Sequence, residues 1–314
     1  MKLGIWVLVG MGLAMLLSVG FLGSEGSVSA QDSTDPIFVG AGDIASCDRD
    51  RTADEATAKL LDNIVAAAPS TTTVFTTGDN AYESGTASEF TNCYHPNWGR
   101  HKARTRPTVG NHEYYTLNNA SGYFGYFGAR AGDPTKGYYS YNLGKWHVVA
   151  LNSMCEKVGG CDATSPMVRW LKQDLAANPR TCTLAYFHHP LFSSGSLSGG
   201  NSKMKPSWEV LYAARADVVL NGHVHNYERF APQTPRGVAN SAQGIREFVV
   251  GTGGYSLNTF KTRVANSEVR NANSSGVLKL TLHPTGYDWK FVAVDGTVDG
   301  KTSDSGMGSC SVTP

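Results

Sequence analysis

The feature that most constrains this chain is where its apolar runs stop. "PIFVGAGD" stops at Asp43 and "TVFTTGD" at Asp79; "TRPTVGNHE" stops at Asn111 and His112, "TCTLAYFHHP" at His188, and "ADVVLNGHVH" at the pair His223 and His225. Each run reads as a short strand, and each ends on a residue able to hold a metal ion. Taken singly, a "GD" after a strand is an ordinary turn, and a lone histidine is an ordinary polar residue. Five separate turns do not all choose ligand-type residues by accident. In open α/β sheets, sites form outside the carboxyl ends of the strands. A fold that brings these strand ends to one edge therefore gathers the donors as well.

Between the runs, "RTADEATAKLLDNIVAAAP", "SPMVRWLKQDLAANP" and "KPSWEVLYAARA" have helical spacing of apolar residues. "GYYSYNLGKWHVVALNS" and "GVLKLTLHPTGYDWKFVAVDG" alternate and turn as hairpins. Strands alternating with helices, followed by hairpins, predict a mixed α/β sandwich. With 314 residues, 41% of them hydrophobic, the chain can bury the core of one large domain. No Pro/Ser-rich linker interrupts the motifs. A formal charge of +1 supplies no strong field for nucleic acid or an anionic membrane.

The first thirty residues differ from the rest. Lys2 precedes "LGIWVLVGMGLAMLLSVGFLG", and Val28 and Ala30 fit the small-x-small cleavage pattern of a secretory signal, with Gln31 next. We expect a signal peptide over 1–30 and a single domain over 31–314, exported from the cell. An uncleaved anchor is the alternative, because the apolar run approaches the length of a bilayer span; only in that case is a membrane partner expected. Six cysteines follow: Cys47, Cys93, Cys155, Cys161, Cys182 and Cys310. An even count in an exported chain favours disulfides. Cys155 and Cys161 flank a short glycine-containing loop and are the easiest pair to close. The other four allow three pairings. Cys47 with Cys93 is favoured, both lying in loops after strands that should be neighbours, which leaves Cys182 with Cys310.

The donors are too many for one ion. Asp43, Asp79, Tyr82, Asn111, His188, His223 and His225 make seven, whereas a tetrahedral zinc uses four. Two ions roughly 3.5–4 Å apart, sharing a carboxylate, need about this many. Tyr82 lies three residues after Asp79, so a turn can bring its phenol to the same ion. Two carboxylates, a phenolate and one histidine suit a hard trivalent ion such as iron(III). A shared carboxylate, an amide oxygen and two histidines suit a divalent one.

The motifs "AGDIA", "TTGDNAY", "VGNHE", "FHHP" and "NGHVHNYER", in this order, resemble those of metallophosphoesterases of the purple acid phosphatase type. The resemblance implies a four-layer α/β/β/α sandwich of two mixed sheets flanked by helices, in the compact single-domain secreted form. It implies iron(III) on Asp43, Asp79, Tyr82 and His225, with Asp79 bridging to a divalent iron, zinc or manganese held by Asn111, His188 and His223. Related phosphoesterases place a histidine two residues after the first aspartate; here that place holds Ala45, and Tyr82 replaces the missing ligand. The implied reaction is hydrolysis of a phosphate monoester on a small phosphorylated substrate, with hydroxide attacking phosphorus directly and His112 assisting. A second pocket histidine is expected among His189, His95 and His101, while His147 reads as structural and His283, before Pro284, as a turn residue. Glu228 and Arg229 read as an ion pair holding their loop. The rival readings are a phosphodiesterase using the same site on nucleotides or phospholipid headgroups, and an exported binding protein on a degenerate phosphoesterase scaffold.

Overall fold

The computed structural model describes residues 1–4, 34–48, 52–116, 118–196, 199–296 and 303–311. Residues from Thr34 onward form one compact unit. The expected leader over 1–30 lies outside the described residues except for its first four. Among the described residues no helix is long and apolar enough to cross a membrane.

Two mixed sheets make the body. The first has six strands in the spatial order Asp304–Ser309, Gly286–Ala293, Gly276–His283, Ile37–Ala41, Thr72–Thr77, Thr105–Thr108. Its last three strands run parallel, and the C-terminal hairpin joins them antiparallel along Ile37–Ala41. The second has seven, in the order Ser267–Asn271, Tyr227–Phe230, Arg246–Val250, Val218–Asn221, Cys182–Tyr186, Trp146–Ala150, Tyr139–Leu143. Four central strands of this sheet are parallel. The central parallel strands are buried on both faces, as expected of strands covered on each side: Trp146–Ala150, Cys182–Tyr186 and Val218–Asn221 have no exposed residue.

The sheets pack on each other through aromatic side chains. Phe38 and Phe75 of the first sheet meet Tyr186 of the second, with ring centroids 5.5 and 6.2 Å apart. Helices Pro166–Ala177 and Lys205–Ala213 cover the outer face of the second sheet, where Leu171, Trp208 and Leu211 pack with Val149, Ala185 and Val219. Helix Thr52–Ala67 turns Ala58 and Leu61 into the core on the side of the first sheet. This is the four-layer mixed sandwich that the motifs implied. All three favoured disulfides are present: Cys47–Cys93, Cys155–Cys161 and Cys182–Cys310.

The predicted strands, helices and both hairpins appear where the patterns placed them. Four parts did not show in the sequence: the irregular helical turns between Ala87 and Arg104, the helix Ser121–Phe127, the strand Tyr227–Phe230, which read as a loop, and the edge strands Ser267–Asn271 and Asp304–Ser309.

Candidate metal centre

The parallel strands of both sheets end at one place. Asp43 follows Ile37–Ala41, Asp79 follows Thr72–Thr77, and Asn111 follows Thr105–Thr108. From the facing sheet, His188 follows Cys182–Tyr186, and His223 and His225 follow Val218–Asn221. Tyr82 ends the two-residue strand Ala81–Tyr82, which pairs in parallel with Ala45–Ser46, so the place of the missing histidine and its replacement lie side by side. Asp43, Asp79 and His223 have φ of 59°, 48° and 68°. This left-handed backbone is uncommon for residues other than glycine. It breaks each strand sharply at the residue that carries the donor. His223 and His225 thus sit on a bent turn just past the end of their strand. Close packing enforces the shape: a Cβ on Gly110 would lie 2.1 Å from Asp79 Oδ1, and one on Gly222 would lie 2.6 Å from Asp43 Oδ2.

The donor atoms form two knots joined at one oxygen. The Tyr82 hydroxyl lies 2.9 Å from Asp43 Oδ1, 3.2 Å from Asp79 Oδ2 and 3.2 Å from His225 Nε2. His225 Nε2 is also 3.2 Å from Asp43 Oδ1. His188 Nε2 lies 3.1 Å from the same Asp79 Oδ2, 3.0 Å from Asn111 Oδ1 and 3.2 Å from His223 Nδ1. Backbone groups fix Asp43, Asp79 and His188 from behind, whereas His225 Nδ1 is buried without a partner among the described residues. His223 N–H donates to Asp43 Oδ2 and His112 N–H to Asp79 Oδ1, both at 2.9 Å. His188 Nδ1–H donates to the Thr77 carbonyl at 2.8 Å, which leaves Nε2 facing the knot.

Protons alone serve this arrangement poorly. One phenol proton cannot satisfy three neighbouring lone-pair atoms. Burial, then the Asp43 and Asp79 charges, hold the Tyr82 phenol well above its ordinary pKa. Burial opposes charge on His188, but Asp79 outweighs it and raises the imidazole to about 9. Against its own burial, Asp79 is held well below the carboxylate range by His188 and His112. Burial and then His188 push His223 down to about 4. Cations in the two knots would satisfy both sets of lone pairs at once, and the donor chemistry fits: oxygen-rich around Tyr82, imidazole-rich around His188.

Of the three candidate pocket histidines only His189 is here. It is buried, accepts or donates through Nδ1 to Ser153 Oγ at 2.8 Å, and packs its ring 4.1 Å from that of His223. His95 is exposed and bound to the Tyr126 hydroxyl; His101 is buried against Asp62 at 2.7 Å. His112 stands at the rim, its Nδ1–H donating to the Glu83 carbonyl at 2.6 Å and its Nε2 3.8 Å from Asp79 Oδ2. His147, in its hairpin strand, bonds Asn142 and Asp174, and His283, the last residue of the strand Gly276–His283 at its turn, bonds Asp35 and Asp288. The expected Glu228–Arg229 pair does not form. The two are adjacent on a strand and point to opposite faces: Glu228 binds Ser194, whereas Arg229 pairs with Asp304 and Glu268.

Three supporting residues escaped the sequence reading. Buried Glu113 accepts from the backbone N–H groups of Asp79, Asn80 and Gly110 at 3.1, 2.6 and 2.7 Å. Tyr115 accepts from Asn111 Nδ2 at 2.7 Å, which turns Asn111 Oδ1 inward. Tyr255 stacks on Tyr82 at 3.8 Å and 9°. Glu113 ends the motif "VGNHE" and Tyr115 lies two residues on, but nothing in the spacing reveals whom they serve.

A calcineurin-like phosphoesterase family model matches residues 38–227, which span all seven donors. Purple acid phosphatase 15 of Arabidopsis thaliana is 33% identical over 149 residues, 42% of this chain and 27% of that protein. Purple acid phosphatase 18 of the same plant is 32% identical over 142 residues, 40% of this chain and 32% of that protein. The matches therefore span about a quarter to a third of these relatives' length. Among solved structures, a purple acid phosphatase from yellow lupin (Lupinus luteus) seeds superposes with a TM-score of 0.64 at 19% identity, covering 87% of this chain and 53% of that one. The anchor in the inner membrane complex of Plasmodium superposes with a TM-score of 0.65 at 14% identity, covering 89% and 90%. These two show a shared fold. By the family match over most of its folded part, the chain belongs to the calcineurin-like phosphoesterases, with purple acid phosphatases among its relatives.

Proposed function

We propose that the protein is a binuclear metal-dependent hydrolase of phosphate monoesters, exported to an oxidising compartment that suits its three disulfides. The observation that carries the reading is the pair of donor knots sharing Asp79 Oδ2. Asp43, Asp79, Tyr82 and His225 would hold iron(III), and Asp79, Asn111, His188 and His223 a divalent iron, zinc or manganese. Such a pair of cations supplies an activated water and neutralises phosphoryl charge. The chain's own residues do the rest. Tyr115 and Thr77 fix the donor atoms of Asn111 and His188. The Glu83 carbonyl holds the proton of His112 Nδ1, so that Nε2 faces the cluster rim, where it can give a proton to the leaving oxygen. Buried His189 closes the histidine side.

A phosphodiesterase would use the same donors. The binding-protein reading gains interest from the Plasmodium neighbour, described as an anchor, but a scaffold kept only for binding has no need of seven convergent donors. Metal analysis and absorption test the proposal together. The oxidised, iron-loaded protein should hold two metals per chain and show a visible phenolate-to-iron band, which Tyr82→Phe should abolish without unfolding the protein. It should hydrolyse 4-nitrophenyl phosphate faster than its diester. A protein with no more than one metal, or one whose band survives Tyr82→Phe, would refute the assignment; a faster diester would favour the phosphodiesterase.

A further inference from the structure

We infer that Tyr115 is a stacking platform for a planar leaving group, so that the site prefers aryl and heteroaryl phosphates to alkyl phosphates. This rests on the phosphate-site reading above. Tyr115 follows the short turn His112–Tyr114 directly. It touches two residues of the site: its hydroxyl accepts from Asn111 Nδ2 at 2.7 Å, and its ring centroid lies 4.5 Å from that of His112, inclined by 49°. Yet it is 61% exposed, and among the described residues it is the one aromatic side chain that ranks with the exposed large hydrophobics. Its neighbour Tyr114 shows the ordinary alternative, 6% exposed with its hydroxyl bonded to Asn152.

The hydroxyl and the ring do separable things. The hydroxyl orients the Asn111 amide, whose Oδ1 sits 3.0 Å from His188 Nε2. That task needs no exposed ring. The ring is held at its hydroxyl and along His112, so it has little freedom left to lose when a second flat group covers it. A leaving group that departs toward His112 departs beside this ring. Offset aromatic stacking of this kind favours a planar group by about 2- to 12-fold.

The test is calorimetric titration of the metal-loaded protein with phenylphosphonate and with methylphosphonate, which are not hydrolysed. Wild type should bind the phenyl compound more tightly, by about the 2- to 12-fold expected of stacking. Tyr115→Ala should remove most of that ratio. Tyr115→Phe should keep it, and any weakening caused by the freed Asn111 amide should fall on both ligands alike. Equal affinity of wild type for the two phosphonates, or a ratio that survives Tyr115→Ala, overturns the platform and leaves the phosphate site standing. Binding of neither phosphonate by a protein carrying both metals overturns the phosphate site and the platform with it. Circular dichroism of each variant separates loss of fold from loss of contact.

Discussion

His112 and the knot residues differ in one respect that experiment can read. His112 faces Asp79 across 3.8 Å and bonds the Glu83 carbonyl, whereas His223 and His225 sit inside the knots. His112→Ala should therefore keep both metals and the colour, while turnover falls by roughly 10²–10⁴-fold if the imidazole is the proton donor. The loss should be smaller for 4-nitrophenyl phosphate, whose leaving group needs no proton, than for an alkyl phosphate. A variant that loses one metal would move His112 among the ligands, and equal losses on both substrates would make it a phosphate-positioning residue. At this scale the sequence was legible wherever a donor ended an apolar run, because strand ends gather at one sheet edge whatever the details of packing. It was illegible for His189, His95 and His101. All three adjoin motifs or helical turns, and only the path of the chain after each strand decides that His189 meets His223 while His101 meets Asp62. Tyr255 lies 173 positions from Tyr82 in sequence, and no local pattern announces that the rings stack.

Between residue and fold stand the loops, and buried carboxylates hold them. Glu113 ties the loop after Thr72–Thr77 to the loop after Thr105–Thr108 by accepting backbone N–H groups from both. On the facing sheet, Glu247 accepts from Leu191 and Phe192, and Glu228 from Ser194, so the segment after His189 hangs on two carboxylates from neighbouring strands. Glu113→Ala leaves three buried donors without an acceptor, each costing about 1–3 kcal/mol. We expect metal affinity to fall about 10- to 100-fold, the range for second-layer supports, with a lower melting temperature in the metal-free protein too. Metal titration and calorimetric melting check this; unchanged values in both would show that the loops hold without the carboxylate. The helices and strands themselves were legible from periodicity. The edge strands Ser267–Asn271 and Asp304–Ser309 were not, since "DSGMGS" has neither apolar alternation nor β-branched residues and is a strand only because Gly286–Ala293 offers it an edge. The turns between Ala87 and Arg104 lack a period of either kind; Cys47–Cys93 and the packing of Trp98 hold that segment in place.

For the whole molecule, the seam between the sheets is closed at one end by Cys182–Cys310 and at the other by the donor cluster. Beside the disulfide, buried Asp217 accepts from Thr183 N–H at 2.8 Å and Ser311 N–H at 2.6 Å. Burial pushes its carboxyl up to about 6, with the two backbone bonds opposing the shift. The folded state therefore holds this proton more tightly than the unfolded chain, whose carboxyl titrates near 3.9. The favourable contribution is complete below about pH 4 and is lost as pH rises through about 6, a change on the order of 1–3 kcal/mol. Asp217→Asn should flatten that part of the melting-temperature profile; a slope identical to wild type would show that Asp217 does not set it. The opposite end of the seam carries a different consequence. Asp43, Asp79 and Asn111 belong to one sheet, His188, His223 and His225 to the other, and Asp79 Oδ2 is where they meet. Neither sheet holds more than half of the proposed donor set. On the proposed function, competence is a property of the docked pair, and a chain with its sheets apart would carry every necessary residue and no enzyme.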